Sequence, residues 1–460
     1  MKSVNAQWVV RATGGKLLKG RPELEFPGFS TDTRALKTGE LFLALKGEQL
    51  DGHSYLSQAK EAGAGGVVVS ERLEEALELF DFVLKVDDTL MAWCGIGRLA
   101  FRDRPVKVVA VTGSTGKTTT KGLIAQLLGG RFKVHKSPAS FNNEVGIPLT
   151  VLSMPDDTEV AVLEYGTRNP GDIALLCEIA EPSIAVITNI QESHLGRFGT
   201  RDALFDAKAE LVDHMETNGT AILNADERWF KRLRGRVRGQ VLSFGRSLLA
   251  EVSATRVRAN GEGLHFRILY HERSVEVSLP LLGAHNVYNA LAATAVGLAM
   301  GLELSELAER FAAFQPEGKR LTRLLGQAGQ VVLDDSYNAS PASVRAALEV
   351  LGQLDTTGRR IAVLGDMLEL GPEEALLHQE VGGHMIEQPL DLLITVGELA
   401  ARFAEGAVAA GFPEGAVVNY LSLEEAFAGL PEVLHPGDLV LVKGSRAVGL
   451  ERLVELLVNG

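Results

Sequence analysis

Between residues 109 and 128 the chain reads VAVTGSTGKTTTKGLIAQLL, an apolar strand-like run that meets Gly113, Gly116 and Lys117 and then passes into a helical pattern. Glycines at that point let the backbone curl so that its N–H groups face phosphate oxygens, and the start of the helix adds the positive end of its dipole. Lys117 would reach the terminal phosphates of a nucleotide, and the Thr118 hydroxyl would sit on Mg²⁺. The hydroxyls of Ser114, Thr115, Thr119 and Thr120 can bind phosphate or cap the helix. The loop is G-x-x-G-K-T, shorter than the common G-x-x-x-x-G-K-[ST] form, so a tight strand-to-helix turn is the bland alternative. The order of strand, loop and helix favours nucleotide binding. Hydrolysis, transfer and binding alone stay open on these residues.

Such a loop needs a buried sheet behind it, and the chain has the material for one. Its 460 residues exceed a single ordinary core and suggest roughly three domains. With 46% apolar and 23% charged residues the balance is globular. Lys and Arg total 46 against 59 for Asp and Glu, a net charge of −13, which argues against nucleic-acid and anionic-membrane partners. The two cysteines, Cys94 and Cys177, lack metal-ligand spacing and read as free buried thiols of a reducing cytoplasm. The N-terminus has no signal-peptide pattern and no apolar run has the length of a bilayer span, so a cytoplasmic protein is expected.

The pattern divides the chain into an α/β protein of three domains, 1–104, 105–318 and 319–460. The first mixes short strands with helices and ends at the charged junction RDRP, residues 102–105. The second opens on VKVVAVTGS and continues with EVAVLEYG and SIAVITNI, continuous apolar runs that suggest a mostly parallel sheet. From about 240 to 280 the pattern alternates and predicts antiparallel strands flanking that sheet. The third, after QPEGKR, repeats strand and helix as QVVLDDS, RRIAVLGD, DLLITVG, AVVNYLS and DLVLVKGS. That rhythm predicts a doubly wound, Rossmann-like sheet, with ligands outside the carboxyl ends of its strands. The loops DDSYN, GDMLELG and KGSR fall there.

TGSTGKTTTK together with FNNEVGIPL, EYGTRNPGDI, ITNIQESHLGRFGT, AKAEL and HNVYNALAA resembles the Mur ligases, ATP-dependent amide ligases of peptidoglycan precursor synthesis. STDTR and LFLALKGEQLDGH resemble their N-terminal UDP-binding domain, and KGSRAVGLE the end of their C-terminal domain. The short phosphate loop is the form that family uses. DDSYNASPAS with GDMLELG is similar to the members that add D-alanyl-D-alanine to UDP-N-acetylmuramoyl-tripeptide, and the Asp-Asn-Pro-Arg motif of the diaminopimelate-adding members is missing. The resemblance implies a monomer that converts the tripeptide carboxylate into an acyl phosphate with ATP and Mg²⁺.

It also implies roles. Gly113 to Thr119 would cradle ATP. Thr118 and Glu164 resemble ligands of one Mg²⁺ and His194 a ligand of a second, while Lys208 matches a lysine carried as a CO₂-derived carbamate. Asn286 and Asn289 resemble residues beside the base, Arg320 an interdomain arginine near the phosphates, and Asp335 an acid that reaches the ribose. Asn142 and Asn143 would face the nucleotide sugar, with Ser30, Thr31, Gly47, Asp51 and His53 on the UDP side. Tyr337, Asn338, Asp366, Ser445 and Arg446 are the candidates for the dipeptide, and closure of the third domain would deliver Arg320 and Asp335. By position alone Glu164 could be a local cap, His194 a loop histidine and Lys208 a solvated helix lysine. A folylpolyglutamate-type ligase and a non-catalytic nucleotide-binding scaffold are the rival readings.

Overall fold

The structure, a computed structural model, describes residues 3–47, 50–191, 195–315, 318 and 320–460, without the side chains of 195 and 196. Parallel strands buried on both faces must be apolar throughout, and the central sheet is built that way. Lys107–Thr112 lies between Val160–Glu164 and Ile184–Ile187, parallel to both. Val109 and Val111 pack on one side with the helices Lys117–Gly129 and His285–Ala299. Val108 and Ala110 pack on the other, with Gly146–Leu152, Asp172–Ile179 and Arg201–Asp213.

This sheet has nine strands among the described residues. The alternating stretch divides differently from the sequence expectation. Gln240–Gly245 runs parallel to Thr220–Asn224 and extends the parallel sheet. Only Val252–Asn260, Gly263–Tyr270 and Arg273–Leu279 form the antiparallel meander at the edge. One face of that meander is solvated, which produces its period of two.

The C-terminal sheet runs in the order Thr322–Leu325, Val331–Asp334, Leu439–Lys443, Arg360–Gly365, Leu392–Val396, Val417–Tyr420. All are parallel except the first, which pairs antiparallel with Val331–Asp334. The order reverses beside Leu439–Lys443, so the three loops after Asp334, Gly365 and Lys443 open at one crevice. The N-terminal sheet has five strands, parallel from Phe29–Ser30 to Val83–Lys85 and closed by antiparallel Lys16–Lys19.

The helix Thr89–Arg102, capped by the Asp88 side chain, bridges the N-terminal and central sheets. Its Trp93 packs in the N-terminal core and donates its indole N–H to Val145 O at 3.0 Å, whereas Cys94 belongs to the central core. Both cysteines are buried and free, and burial pushes the Cys94 thiol up to about 12 and the Cys177 thiol higher still. No helix among the described residues is long and apolar enough to cross a membrane.

Candidate active site

The phosphate loop leaves the strand Lys107–Thr112 through two glycines that nothing else could replace. Gly113 has φ 148°, and a Cβ there would lie 1.9 Å from Thr188 Oγ1; Gly116 has φ 78°, and its Cβ would lie 2.4 Å from Asn289 Oδ1. The loop is braced from outside by the segment after Ile184–Ile187. Ser114 N–H donates to Asn189 O, the Ser114 hydroxyl donates to Gln191 O at 2.8 Å, and Thr115 N–H donates to Asn189 Oδ1 at 3.0 Å. The Thr115 hydroxyl accepts from Asn189 Nδ2 at 2.9 Å, so two hydroxyls that could bind phosphate, those of Ser114 and Thr115, also shape the cradle. Glu227 accepts from the Ile190 N–H beneath this brace, and burial pushes its carboxyl up to about 7. The sequence carried no pattern for Asn189 or Glu227.

Lys117 Nζ folds into the mouth of the loop, donating to Gly113 O at 2.9 Å and Ser114 O at 3.3 Å. Loss of hydration lowers it from the ordinary lysine range; Glu164 opposes that shift and Arg320 adds to it. The Thr118 hydroxyl donates to Glu164 Oε2 at 2.9 Å, and Asn142 Nδ2 donates to Glu164 Oε1 at 3.0 Å. Glu164 is buried at the end of Val160–Glu164. A hydroxyl and a buried carboxylate side by side form the hard-oxygen donor set that suits Mg²⁺. Arg320, 202 residues further along the chain, donates to Thr118 Oγ1 at 3.1 Å.

Lys208 is 2% exposed on Arg201–Asp213, so the solvated-helix reading fails. Burial lowers it well below the ordinary lysine range, and the nearby charge of Lys117 lowers it further. His194 lies outside the described residues. Asn286 and Asn289, expected beside a base, use their amides internally: Asn286 Nδ2 donates to Leu282 O, Asn289 Nδ2 to Asn286 Oδ1, and Asn289 Oδ1 accepts from the Thr120 hydroxyl.

At the C-terminal crevice Tyr337 lies between two guanidinium groups, Arg320 at 4.7 Å and Arg446 at 5.4 Å from its ring centre. Its hydroxyl is hydrogen-bonded to Ser140 of the central domain and accepts from Arg446 at 3.4 Å. Asp335 accepts from Lys443 Nζ at 2.6 Å, and the same ammonium donates to Asn338 O at 2.9 Å. Lys443, within KGSR, had no sequence-level role, and it ties DDSYN to KGSR. Asp366 accepts from Ala400 N–H at 2.6 Å, at the start of Ala401–Ala409. Burial raises its carboxyl above the ordinary range. The Ser445 hydroxyl accepts from Leu368 N–H at 2.9 Å, joining KGSR to GDMLELG.

In the N-terminal domain, His53 is fully buried. Its Nδ1 meets Asp51 Oδ1 at 2.7 Å, and Nε2 accepts from Ser70 N–H at 3.0 Å. Asp51 also caps the turn Gly52–Tyr55, and Gly47 N–H donates to Leu50 O at 2.8 Å. The Ser30 hydroxyl donates to Asp32 O at 2.9 Å, and Thr31 follows it in the bend. The side chains of Ser30, Asp51 and His53 thus make the hydrogen bonds that build these loops. Asn143 accepts from Gly146 N–H at 2.9 Å, holding the start of Gly146–Leu152. His53→Ala leaves buried N–H groups unpaired and is expected to lower the stability of this domain by about 3 kcal/mol. Urea unfolding followed by Trp8 and Trp93 fluorescence measures it.

The structure brings together Lys117, Thr118, Glu164, Asn142, Arg320, Tyr337 and Arg446 around one crevice. His53 is buried within the N-terminal domain, apart from it. The comparisons with known proteins agree in all three parts. Residues 25–86 match the description "Mur ligase family, catalytic domain", residues 111–297 "Mur ligase middle domain" and residues 319–446 "Mur ligase, glutamate ligase domain". The "UDP-N-acetylmuramoyl-tripeptide--D-alanyl-D-alanine ligase" of Bacillus subtilis (strain 168) is 38% identical over 94% of this chain and 93% of its own length. The crystal structure of MurF from Acinetobacter baumannii superposes with a TM-score of 0.90 at 31% identity, over 99% of both chains. MurF ligase from Thermotoga maritima, solved in complex with ADP, gives 0.80 at 27% identity over 93% of this chain and 96% of that one. Similarity of this degree along almost the whole length, on a shared three-sheet framework with the phosphate loop at its centre, establishes that the chain belongs to the Mur ligase family.

Proposed function

We propose that the chain joins D-alanyl-D-alanine to UDP-N-acetylmuramoyl-tripeptide, consuming ATP and yielding UDP-N-acetylmuramoyl-pentapeptide, ADP and phosphate for peptidoglycan synthesis. Members of this family are ATP-dependent amide ligases, and the name of the Bacillus subtilis relative supports this pair of substrates. The observation that carries the reading is the Arg320–Thr118 bond, in which a guanidinium meets the hydroxyl that follows Lys117 in the loop.

A carboxylate is a poor electrophile because its oxygen cannot leave. In the proposed first step a tripeptide carboxylate oxygen attacks the γ-phosphorus, the bond to the β–γ bridging oxygen breaks, and ADP departs. The dipeptide amine then attacks the acyl phosphate carbonyl, loses a proton, and phosphate leaves the tetrahedral intermediate. All the reacting groups are anionic, so alignment and charge neutralisation dominate. In this reading Lys117 and Arg320 provide that positive charge, and the backbone N–H groups from Gly113 to Thr119 hold the phosphates.

Thr118 and Glu164 fit Mg²⁺ as hard, adjacent oxygen donors; when bound, the ion would neutralise phosphate charge. His194 completes this proposed set. Lys208 carries a carbamate in this reading: a neutral, buried amine adds CO₂ readily, and the anion formed is attracted to Lys117, where an ammonium would be repelled. Asn286 and Asn289 support the wall nearest the base and Asp335 the ribose side, held by Lys443. The dipeptide is assigned to Tyr337, Asn338, Ser445 and Arg446, whose guanidinium suits a carboxylate, with Asp366 setting the neighbouring loop. The UDP end is assigned to the Ser30, Thr31 and Gly47 to His53 loops, and the sugar to Asn142 and Asn143. The division into 1–104, 105–318 and 319–460, a monomeric state and a cytoplasmic site of action belong to the same proposal.

ADP release measured with UDP-N-acetylmuramoyl-tripeptide and ATP is expected to depend on added D-alanyl-D-alanine. Release that is absent, or the same without dipeptide, refutes the reading. Glutamate supporting release on a folate in place of these substrates would establish the folylpolyglutamate-type alternative.

A further inference from the structure

Lys121, one helical turn beyond Lys117, has no part in the scheme above, yet its side chain is fully buried. An ammonium taken out of water is unfavourable unless surrounding groups replace that hydration. Its Nζ donates to Ser137 O at 2.8 Å and to Ala139 O, and stands 3.6 Å from Glu164 Oε2. Two carbonyls only two residues apart converge on one ammonium because Ala139 adopts φ 43°. That left-handed conformation is unfavourable for alanine and persists only where surrounding contacts hold it.

The segment anchored in this way carries two functional contacts. Ser140 is hydrogen-bonded to Tyr337 of the C-terminal domain. Asn142 donates to Glu164 and its carbonyl accepts from Gly166 N–H at 2.7 Å. The Ser137 hydroxyl also accepts from Glu164 N–H at 3.2 Å. The phosphate-loop helix is thereby connected through one charge to the residue that meets the dipeptide-side tyrosine.

We propose that Lys121 is a positioning residue for the acceptor half of the reaction, holding residues 137–143 against the phosphate-loop helix so that Ser140 meets Tyr337. The proposal rests on the dipeptide-ligase reading. Lys121 does not touch the substrates; it acts through the segment it anchors.

The test uses the full chain. Lys121→Met keeps length and removes charge, and is expected to raise KM for D-alanyl-D-alanine about tenfold while the calorimetric affinity for ADP changes by less than about threefold. Ser140→Ala, which removes the end of the proposed linkage, is expected to reproduce the KM rise. The double variant should be no worse than Lys121→Met alone, since both changes break one linkage. A folded Lys121→Met with unchanged dipeptide KM, or rises that multiply in the double variant, overturns the proposal. If Lys121→Met does not fold, Ser140→Ala decides: an unchanged dipeptide KM overturns it, and the expected rise supports it. Wild-type protein lacking dipeptide-dependent ADP release would instead sink the functional reading, so the two failures are distinguishable.

Discussion

Lys208→Ala is expected to lower ligase turnover about a thousandfold, and short carboxylic acids such as acetate or formate should restore part of it. The magnitude is that of removing a charged group which acts on developing phosphoryl charge. The rescue follows from geometry. Alanine leaves a hollow in a buried site beside Lys117, and a small carboxylate returns the anionic group that the carbamate would supply. An unchanged rate would remove Lys208 from the mechanism, and a loss that no acid restores would remove the carbamate.

Stability separates this role from a structural one. The folded lysine lies well below its unfolded value of 10.5, so between those two values the unfolded chain binds more protons than the folded one. Its contribution to stability therefore rises with pH through that window. At neutral pH the unmodified buried amine is a liability. Lys208→Met is expected to leave thermal stability equal or higher while activity collapses, the trade expected of a functional site. Scanning calorimetry beside the ADP assay reads both; a variant that loses stability and activity together would identify a structural lysine.

Lys117→Met is expected to reduce kcat by about 10³ with a smaller loss of ATP affinity, about tenfold. Nζ lies in the mouth of the loop on Gly113 and Ser114 carbonyls, contacts it can exchange for phosphate oxygens. Backbone N–H groups would still bind the phosphates of the ground state, but the charge that accumulates during transfer would lose its nearest cation. Separate measurement of single-turnover rate and equilibrium ADP binding checks the split. Equal losses in both would mean that Lys117 serves binding alone.

The expected α/β class with mostly parallel sheets is the class observed, because strands buried on both faces must be apolar along their whole length and helices beside them must show a stripe. The strand direction of Gln240–Gly245 is not legible, because a residue pattern reports which faces are buried and not which way the neighbouring strand runs; the strand lies inside the sheet, parallel to Thr220–Asn224 and to Val252–Asn260. Thr322–Leu325, a short antiparallel edge strand, left no pattern long enough to read.

The site divides in a similar way. Gly113, Gly116, Lys117 and Thr118 were legible because a phosphate loop is built from neighbours in sequence, where spacing alone sets backbone geometry. His53, expected on the UDP side, closes with its ring a buried network with Asp51 and Ser70, since a histidine's type says nothing about which way its side chain turns. Asp366, expected at the crevice, also accepts from Ala400 N–H before Ala401–Ala409, a partner 34 residues away that no spacing announces. The Asp335–Lys443 bond spans 108 residues, Thr120–Asn289 spans 169 and Arg320–Thr118 spans 202. Residue order by itself determined the periodicity of the elements, the phosphate loop and the family. The partner of each buried polar group, and with it the division between residues that face substrate and residues that hold them, was decided only by the tertiary structure, because burial obliges such groups to find partners wherever the fold brings them.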